Sequence, residues 1–165
     1  MTLRSAARPL SLTRCIPSTL KAVEALALEV RGLLLAHGLQ AASFGVELAL
    51  RECLNNAVLH GNRRNARKRV ILDLSCGRKW ICLRTKDEGA GFDWRAKRRA
   101  PEPDVEAPSG RGLRILRAYA KRIQFNRCGN QITLWLLRDS RKTTLHPISK
   151  PTPKAARRSR TSIRN

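Results

Sequence analysis

The fold can be read outward from residues 47–61, which spell Glu-Leu-Ala-Leu-Arg-Glu-Cys-Leu-Asn-Asn-Ala-Val-Leu-His-Gly. The apolar positions of this region follow the period of a helix rather than a strand: Val46, Leu50, Cys53, Leu54 and Ala57. Beside that stripe lie Glu52, Asn56 and His60, which drift by only about 80° over two steps of four residues and so share one helix face. This row is either a solvated helix surface or a site. In a site, the Asn56 oxygen would suit a hard metal such as Mg²⁺ and Glu52 would act as a base.

A second motif is the stretch Asp87-Glu88-Gly89-Ala90-Gly91-Phe92, which follows an apolar run. A carboxylate at a strand end can accept a hydrogen bond from an exocyclic amine such as that of adenine. The glycines would let the backbone turn and approach a flat ring closely. The stretch therefore predicts a base-binding loop or, in the simpler interpretation, an ordinary Asp-Gly turn.

A third motif, Ser109-Gly110-Arg111-Gly112-Leu113, precedes a predicted helix. Free N–H groups at a helix start, together with the helix dipole, favour phosphate. Neither glycine motif is a dinucleotide fingerprint, because each lacks the third glycine, and the sequence contains no Walker lysine motif.

The three motifs, in this order and spacing, resemble the GHKL ATPase superfamily, which includes gyrase, histidine kinases and mismatch-repair ATPases. The resemblance covers about residues 10–137 and is nearest to the small anti-sigma factor serine/threonine kinases of bacterial partner-switching systems. It implies a Bergerat fold, with a nucleotide held between helices and a lid, and it implies binding of ATP and Mg²⁺.

The resemblance also implies a role for each matching residue. Asp87 would bind adenine, Asn56 would bind Mg²⁺, and Glu52 would be the general base that takes a proton from a serine, a threonine or water. The implied nucleotide-binding set is Asn56, Asp87, Gly89, Gly91, Gly110, Arg111, Gly112 and Leu113. His60 matches a common position but receives no role, and we expect a satisfied, partly buried histidine there.

One departure from the family lies before the last strand. Many members carry Gly-Thr-Thr there, and a threonine helps to hold adenine through water. This chain carries Gly129-Asn130-Gln131 instead. The change affects the expected affinity for the nucleotide and leaves the predicted fold unchanged.

The whole sequence predicts an α+β fold in the order β-α-α-β-β-α-β-β: a two-layer sandwich with a mostly antiparallel sheet and three helices on one face. Strands are predicted at 10–15, 70–76 and 79–86, with two more around Ile123 and Leu134 that are joined by a turn at Gly129-Asn130. Helices are predicted at 19–37, 42–60 and 112–121, the first with Ser18 as its N-cap and Gly38 as its stop. Three regions follow from this: a flexible N-terminus at 1–9, an ATP-binding domain at 10–138 and a basic disordered tail at 139–165.

Two connecting segments are rich in arginine and lysine. Residues 63–69 are predicted to be a solvated loop. Residues 93–109 combine four basic residues with three prolines and predict no regular core element. Their place between two glycine motifs favours a lid, and an ordinary disordered loop is the alternative.

The 165 residues carry a formal charge of +22, which indicates an anionic partner or a general solubility bias. No apolar run is long enough to span a membrane, and the N-terminus does not resemble a signal peptide. The five cysteines are odd in number and form no C-x-x-C pair, so we expect small apolar residues in a reducing cytoplasm.

The sequence is compatible with four functions to different degrees. The first is a serine/threonine kinase that binds a sigma factor and phosphorylates an anti-anti-sigma protein of the STAS type. The second is an ATP-binding or sigma-sequestering module without significant turnover. A histidine-kinase ATP domain is disfavoured because there is no room for a dimerising helical hairpin. A nucleic-acid binder is supported only by charge, with non-specific contacts expected from the basic tail. The resemblance also implies that the protein can form a homodimer.

Overall fold

The computed structural model of the protein describes residues 10–99 and 111–139. The strands are β1 (Ser11–Pro17), β2 (Arg69–Cys76), β3 (Trp80–Asp87), β4 (Ala120–Phe125) and β5 (Gln131–Leu137). The helices are α1 (Leu20–Ala36), α2 (Gln40–Asn56), α3 (Trp94–Arg99) and α4 (Arg111–Tyr119), and a single π-turn (Ala57–Gly61) continues α2. The strands form one antiparallel sheet in the order β1-β2-β3-β5-β4.

The core lies between the sheet and the long helices, because alternate strand residues on the helix-facing side are apolar and buried. The buried strand residues on that face include Leu72, Leu74, Ile81, Leu83, Leu134 and Leu136. They pack with the apolar stripes of α1 and α2, which include Val23, Val30, Leu34, Val46, Leu50 and Leu54. The opposite face is more exposed and mixes polar with apolar residues, and there Asp73 of β2 pairs with Arg84 of β3 at 2.9 Å. The predicted two-layer α+β sandwich is confirmed.

The start of α1 differs from the prediction by one residue. Its N-cap is Thr19, whose hydroxyl accepts a hydrogen bond from the N–H of Ala22 at 3.3 Å, whereas Ser18 is buried. Gly38 ends the helix as predicted, with a φ of 70° that suits glycine.

The end of α2 also differs from the prediction. A continuous α-helix to His60 is wrong, because the α-helix ends at Asn56 and one π-turn follows. The N–H of Asn62 donates to the carbonyl of Ala57 at 2.7 Å, which is the five-residue spacing of a π-turn. His60 is exposed on this turn, so its predicted partial burial is wrong as well.

The segment after the Asp87 motif contains the short helix α3, although no regular element was predicted at 93–109. Asp93 explains its start, because one carboxylate oxygen accepts the N–H groups of both Arg95 and Ala96 at 3.0 Å. The rest of the predicted lid, 100–110, lies outside the described residues. So do the N-terminal residues 1–9 and the tail from residue 140 onward.

All five cysteines lie within the described ranges and carry free thiols. Cys53 is buried in α2, and burial raises the pKa of its thiol. Cys15 and Cys128 are exposed, and Cys76 and Cys82 are half-buried. Among the described helices, none could span a bilayer.

Candidate functional site

The Glu52–Asn56 pair lies on the last turn of α2. The side-chain N–H of Asn56 donates to Glu52 Oε1 at 2.9 Å, which confirms the predicted proximity of the two side chains. Glu52 is half-buried and Asn56 is exposed. Since the side-chain nitrogen of Asn56 donates to Glu52, the side-chain carbonyl oxygen of Asn56 is the atom that can bind a metal ion.

The start of α4 lies against this pair. A Cβ atom added to Gly112 would overlap Glu52 Oε1, so the start of α4 lies in direct contact with the carboxylate. The first turn of α4 and the last turn of α2 therefore meet at one place. Leu113 is half-buried beside it, Arg111 begins the helix, and Gly110 lies outside the described residues.

Asp87 ends β3 with its half-buried side chain on the helix-facing side of the sheet. One carboxylate oxygen accepts the N–H of Gly89 at 2.8 Å. A Cβ atom at Gly61, the last residue of the π-turn, would overlap this carboxylate, so the π-turn lies directly over it. Burial raises the pKa of Asp87, and the Gly89 N–H and the positive charge of Lys68 oppose that rise.

The two glycines after Asp87 have a structural reason in addition to the predicted ones. The sequence predicted a backbone turn and close approach to a flat ring, and the structure shows the turn at Gly91 together with close approach to the protein's own backbone. A Cβ atom would overlap the carbonyl of Gly61 at Gly89, and that of Cys128 at Gly91. Gly91 also has a φ of 78°, which side-chain-bearing residues rarely adopt.

Asn130 holds the Asp87 motif in place through hydrogen bonds, and we call this group of bonds the clasp. Its side-chain N–H donates to the carbonyls of Asp87 at 3.3 Å and Gly89 at 3.4 Å, and its own carbonyl accepts the N–H of Asp87 at 3.0 Å. Asn126 completes the clasp by donating its side-chain N–H to Asn130 Oδ1 at 2.7 Å. The sequence predicted a turn here, but nothing in it indicated that the turn would bind the motif after β3.

Asn62 is a second bracing residue that the sequence did not predict. It is buried, donates through its amide to the carbonyl of Arg69 at 2.8 Å and accepts the N–H of Glu88 at 3.0 Å. Lys68 also donates to the carbonyl of Glu88, at 3.0 Å. The basic connector is therefore solvated over 63–67, while its last residues brace the strand end that carries Asp87.

An aromatic cluster fixes the start of the segment that leads toward 100–110. The Trp94 ring stacks on Phe125 with centroids 5.8 Å apart, and its indole N–H donates to the carbonyl of Asn126 at 2.9 Å. Phe92 meets Phe125 edge-on at 5.5 Å. A cavity of about 520 Å³ lies beside this cluster, lined by residues 90–96, Arg127 and Cys128.

The architecture and the three clustered motifs agree with a comparison against known families. Residues 16–136 match the family model described as histidine kinase-like ATPase domain, and the chain belongs to this family, within the GHKL superfamily. The family indicates a domain of the ATP-binding, ATP-using type. No curated protein matches the chain.

Proposed function

We propose that the protein is an ATP- and Mg²⁺-dependent serine/threonine protein kinase of the anti-sigma factor type. It would phosphorylate an anti-anti-sigma protein of the STAS type, bind a sigma factor and regulate transcription by partner switching. The observation that carries the kinase assignment is the Glu52 carboxylate, which lies between Asn56 and the first turn of α4. A base beside a metal ligand and a phosphate-binding helix start is the combination that phosphoryl transfer to a hydroxyl requires.

Each group has a distinct chemical task in this proposal. Asp87 accepts a hydrogen bond from the adenine amine, and the N–H groups at the start of α4 bind phosphate oxygens. Glu52 accepts the proton of the attacking serine or threonine hydroxyl. The oxygen of that hydroxyl bonds to the γ-phosphorus, and ADP leaves. The Asn56 oxygen fits Mg²⁺, which prefers oxygen ligands and supplies positive charge to the phosphate oxygens.

A binding module without significant turnover is the second candidate, and Asn130 favours it. The family's threonine would offer a hydroxyl toward the base. The amide of Asn130 is instead committed to the carbonyls of Asp87 and Gly89 and to Asn126. Weaker nucleotide binding would suit a protein that acts by sequestering its partner.

The remaining parts of the proposal concern partners and location. A sigma factor and a STAS-type protein would both be met in the cytoplasm, and the protein could act as a homodimer. Nucleic acid would bind only non-specifically, through the basic residues beyond 139, because such binding follows the number of phosphates neutralised.

Calorimetry with ATP and with GTP, each with Mg²⁺, tests the nucleotide site. ATP should bind more tightly, because guanine has a carbonyl where adenine has the amine that Asp87 accepts. Asp87→Asn should weaken ATP binding, because an amide can present a donor to that amine. Equal binding of ATP and GTP, together with an unaffected Asp87→Asn variant, would contradict the adenine site.

Phosphate transfer from labelled ATP to a candidate STAS-type protein tests the kinase. Glu52→Gln keeps the size of the side chain and removes the base, so transfer should fall by roughly 10²–10⁴-fold while ATP affinity changes little. Asn56→Ala should instead lose Mg²⁺-dependent binding and transfer together.

Glu47→Gln is the matched control, because Glu47 lies on the same helix but pairs with Arg51 at 3.2 Å. It should leave transfer unchanged. A Glu52→Gln variant that transfers phosphate at the wild-type rate would remove Glu52 from the mechanism. A wild type that binds ATP but phosphorylates no candidate partner would favour the binding module.

A further inference from the structure

Phe44 is an exposed aromatic residue that the proposed chemistry does not use. It lies on α2, and 68% of it is exposed, the largest value among the large apolar residues that the structure describes. Its ring meets Tyr119 of α4 edge-on, with centroids 6.0 Å apart. Because Tyr119 and the neighbouring Leu48 are only half-buried, the exposed ring belongs to a larger apolar surface. We call Phe44, Leu48 and Tyr119 the apolar patch.

The apolar patch continues the row of side chains that carries the candidate base. Phe44, Leu48, Glu52 and Asn56 follow one another at steps of four residues on α2, so they are neighbours along one side of the helix. At about 1.5 Å per residue, Phe44 and Glu52 are about 12 Å apart along the helix axis. An apolar surface therefore leads from the exposed ring to the carboxylate.

The helix α4 borders the same side of α2 and runs in the opposite direction. Gly112 in its first turn contacts Glu52, and its last residue, Tyr119, lies over Gly45, where an added Cβ atom would come within 2.7 Å of the ring. The two ends of α4 thus mark the two ends of one continuous surface, with the base at one end and the apolar patch at the other.

The geometry of phosphoryl transfer indicates which molecule fits this surface. The attacking and leaving oxygens are roughly in line, so the acceptor approaches the phosphate from the side opposite ADP. The proposed adenine site at Asp87 lies under the π-turn, beyond the C-terminal end of α2. A nucleotide that reaches from Asp87 to the start of α4 leaves the N-terminal side of Glu52 for the acceptor, and the apolar patch lies on that side.

We propose that the apolar patch is the docking site for the protein that is phosphorylated. The occupant would be a protein with an apolar side chain roughly 12 Å from its acceptor hydroxyl. Since α4 carries Arg114 and Arg117 and no acidic residue, acidic groups near that side chain would add charge complementarity. This proposal rests on the proposed function, because it requires the acceptor hydroxyl to reach Glu52.

Phe44→Ala tests the proposal, because it removes the exposed ring and leaves Glu52 and the nucleotide site intact. Calorimetry in the presence of ADP measures the affinity for a candidate STAS-type protein, and transfer from labelled ATP gives KM and kcat for the same protein. The variant should lose roughly 10-fold or more in affinity and gain as much in KM, as expected for truncation of an aromatic anchor. We expect kcat and ATP affinity to be unchanged, and Phe44→Leu to keep most of the affinity.

Leu28→Ala is the matched control, since Leu28 is a 62% exposed apolar residue on α1, outside the apolar patch. It should leave the affinity for the STAS-type protein, KM and kcat unchanged. Both variants should keep a thermal midpoint close to that of the wild type, because each removes a largely exposed side chain. A general effect of lost surface apolarity would appear in both variants alike and would overturn the proposal.

Wild-type affinity and KM in Phe44→Ala would overturn the proposal and leave the proposed function in place. Reduced self-association of Phe44→Ala with unchanged affinity for the STAS-type protein would also overturn it, because a second copy of the chain would then occupy the apolar patch. A wild type that phosphorylates no candidate partner would instead overturn the proposed kinase and, with it, this proposal.

Discussion

Asp87 shows how a single residue is set up by distant parts of the chain. The π-turn covers its carboxylate at Gly61, Gly89 donates to it, and Asn130 holds its backbone. The resulting burial raises its pKa above the ordinary value of 3.8. The carboxyl group should therefore change charge at a higher pH than an exposed aspartate does.

We expect ATP affinity to fall as the pH is lowered through this raised pKa, because a protonated carboxyl is a poorer acceptor for the adenine amine. Stability should respond in the opposite direction. The folded protein binds the Asp87 proton more tightly than the unfolded chain does. The ionised carboxylate therefore lowers the free energy of unfolding, and this loss disappears as the pH falls through the raised pKa of the folded protein. Calorimetry and thermal melting of wild type and Asp87→Asn, from about pH 7 to about pH 4, check both effects. Parallel pH profiles for the two proteins would contradict the prediction, because adenine's own protonation affects both alike.

At this scale, the sequence could predict the residues whose chemistry is written in a local pattern. Glu52 and Asn56 are one helical turn apart, so helical geometry alone brings them together. The role of Asn62 could not be predicted, because its hydrogen-bond partners Arg69 and Glu88 are brought close only by the fold. His60 failed for a related reason: its exposure depends on a π-turn that the apolar period does not reveal.

At the scale of elements, α2 and its π-turn organise the site. The α-helical part presents Glu52 and Asn56 to α4, and the π-turn carries Gly61 over Asp87. The sequence predicted the helix from its apolar period. The five residues of the π-turn continue that period nearly unchanged, so the pattern did not reveal where the α-helix ends. Two backbone hydrogen bonds, from the N–H of Asn62 to the carbonyl of Ala57 and from the N–H of Arg64 to the carbonyl of Val58, both 2.7 Å, mark the change from α-helical winding.

Gly61→Ala should separate the π-turn from β3, because the added methyl group would overlap the Asp87 carboxylate. We expect ATP affinity to fall by roughly 10-fold or more, equivalent to about 1.4 kcal/mol. Gly32→Ala is the matched control, since Gly32 lies in α1 with no atom within 4 Å of an added Cβ. It should raise stability by about 0.5–1 kcal/mol through helix propensity and leave affinity unchanged. Calorimetry and denaturant unfolding of both variants provide the measurement, and unchanged affinity in Gly61→Ala would contradict the contact.

At the scale of the whole molecule, the apolar residues are concentrated between two layers, while many of the basic residues lie near the C-terminal end of the sequence. The apolar residues lie between the sheet and the helices, and the outer sheet face carries polar groups such as Asp73, which pairs with Arg84 and accepts the hydroxyl of Thr13 at 2.7 Å. Much of the +22 charge lies at the C-terminal end, where residues 141–165 contain eight lysines and arginines and no acidic residue. The alternating pattern predicted the layers correctly, since it states which face of each strand is apolar.

We expect deletion of residues 141–165 to leave the thermal midpoint unchanged within error, because the family match ends at residue 136 and β5 ends at Leu137. The same deletion should reduce salt-sensitive binding to nucleic acid, since eight positive charges are removed. Melting curves and binding titrations at two salt concentrations check the two outcomes. A midpoint lowered by many degrees would mean that these residues pack on the core.

The clasp on the Asp87 motif also has a consequence for the order of folding. The clasp joins residues 43 positions apart, from Asn130 to Asp87, and the nearby hydrogen bond from Glu88 to Asn62 joins residues 26 positions apart. Closing such long loops costs entropy before any contact compensates it, so the binding site should form only after these distant segments of the chain have met. A nucleotide would then bind only the completed fold, and it would prolong the lifetime of the native state without speeding its formation.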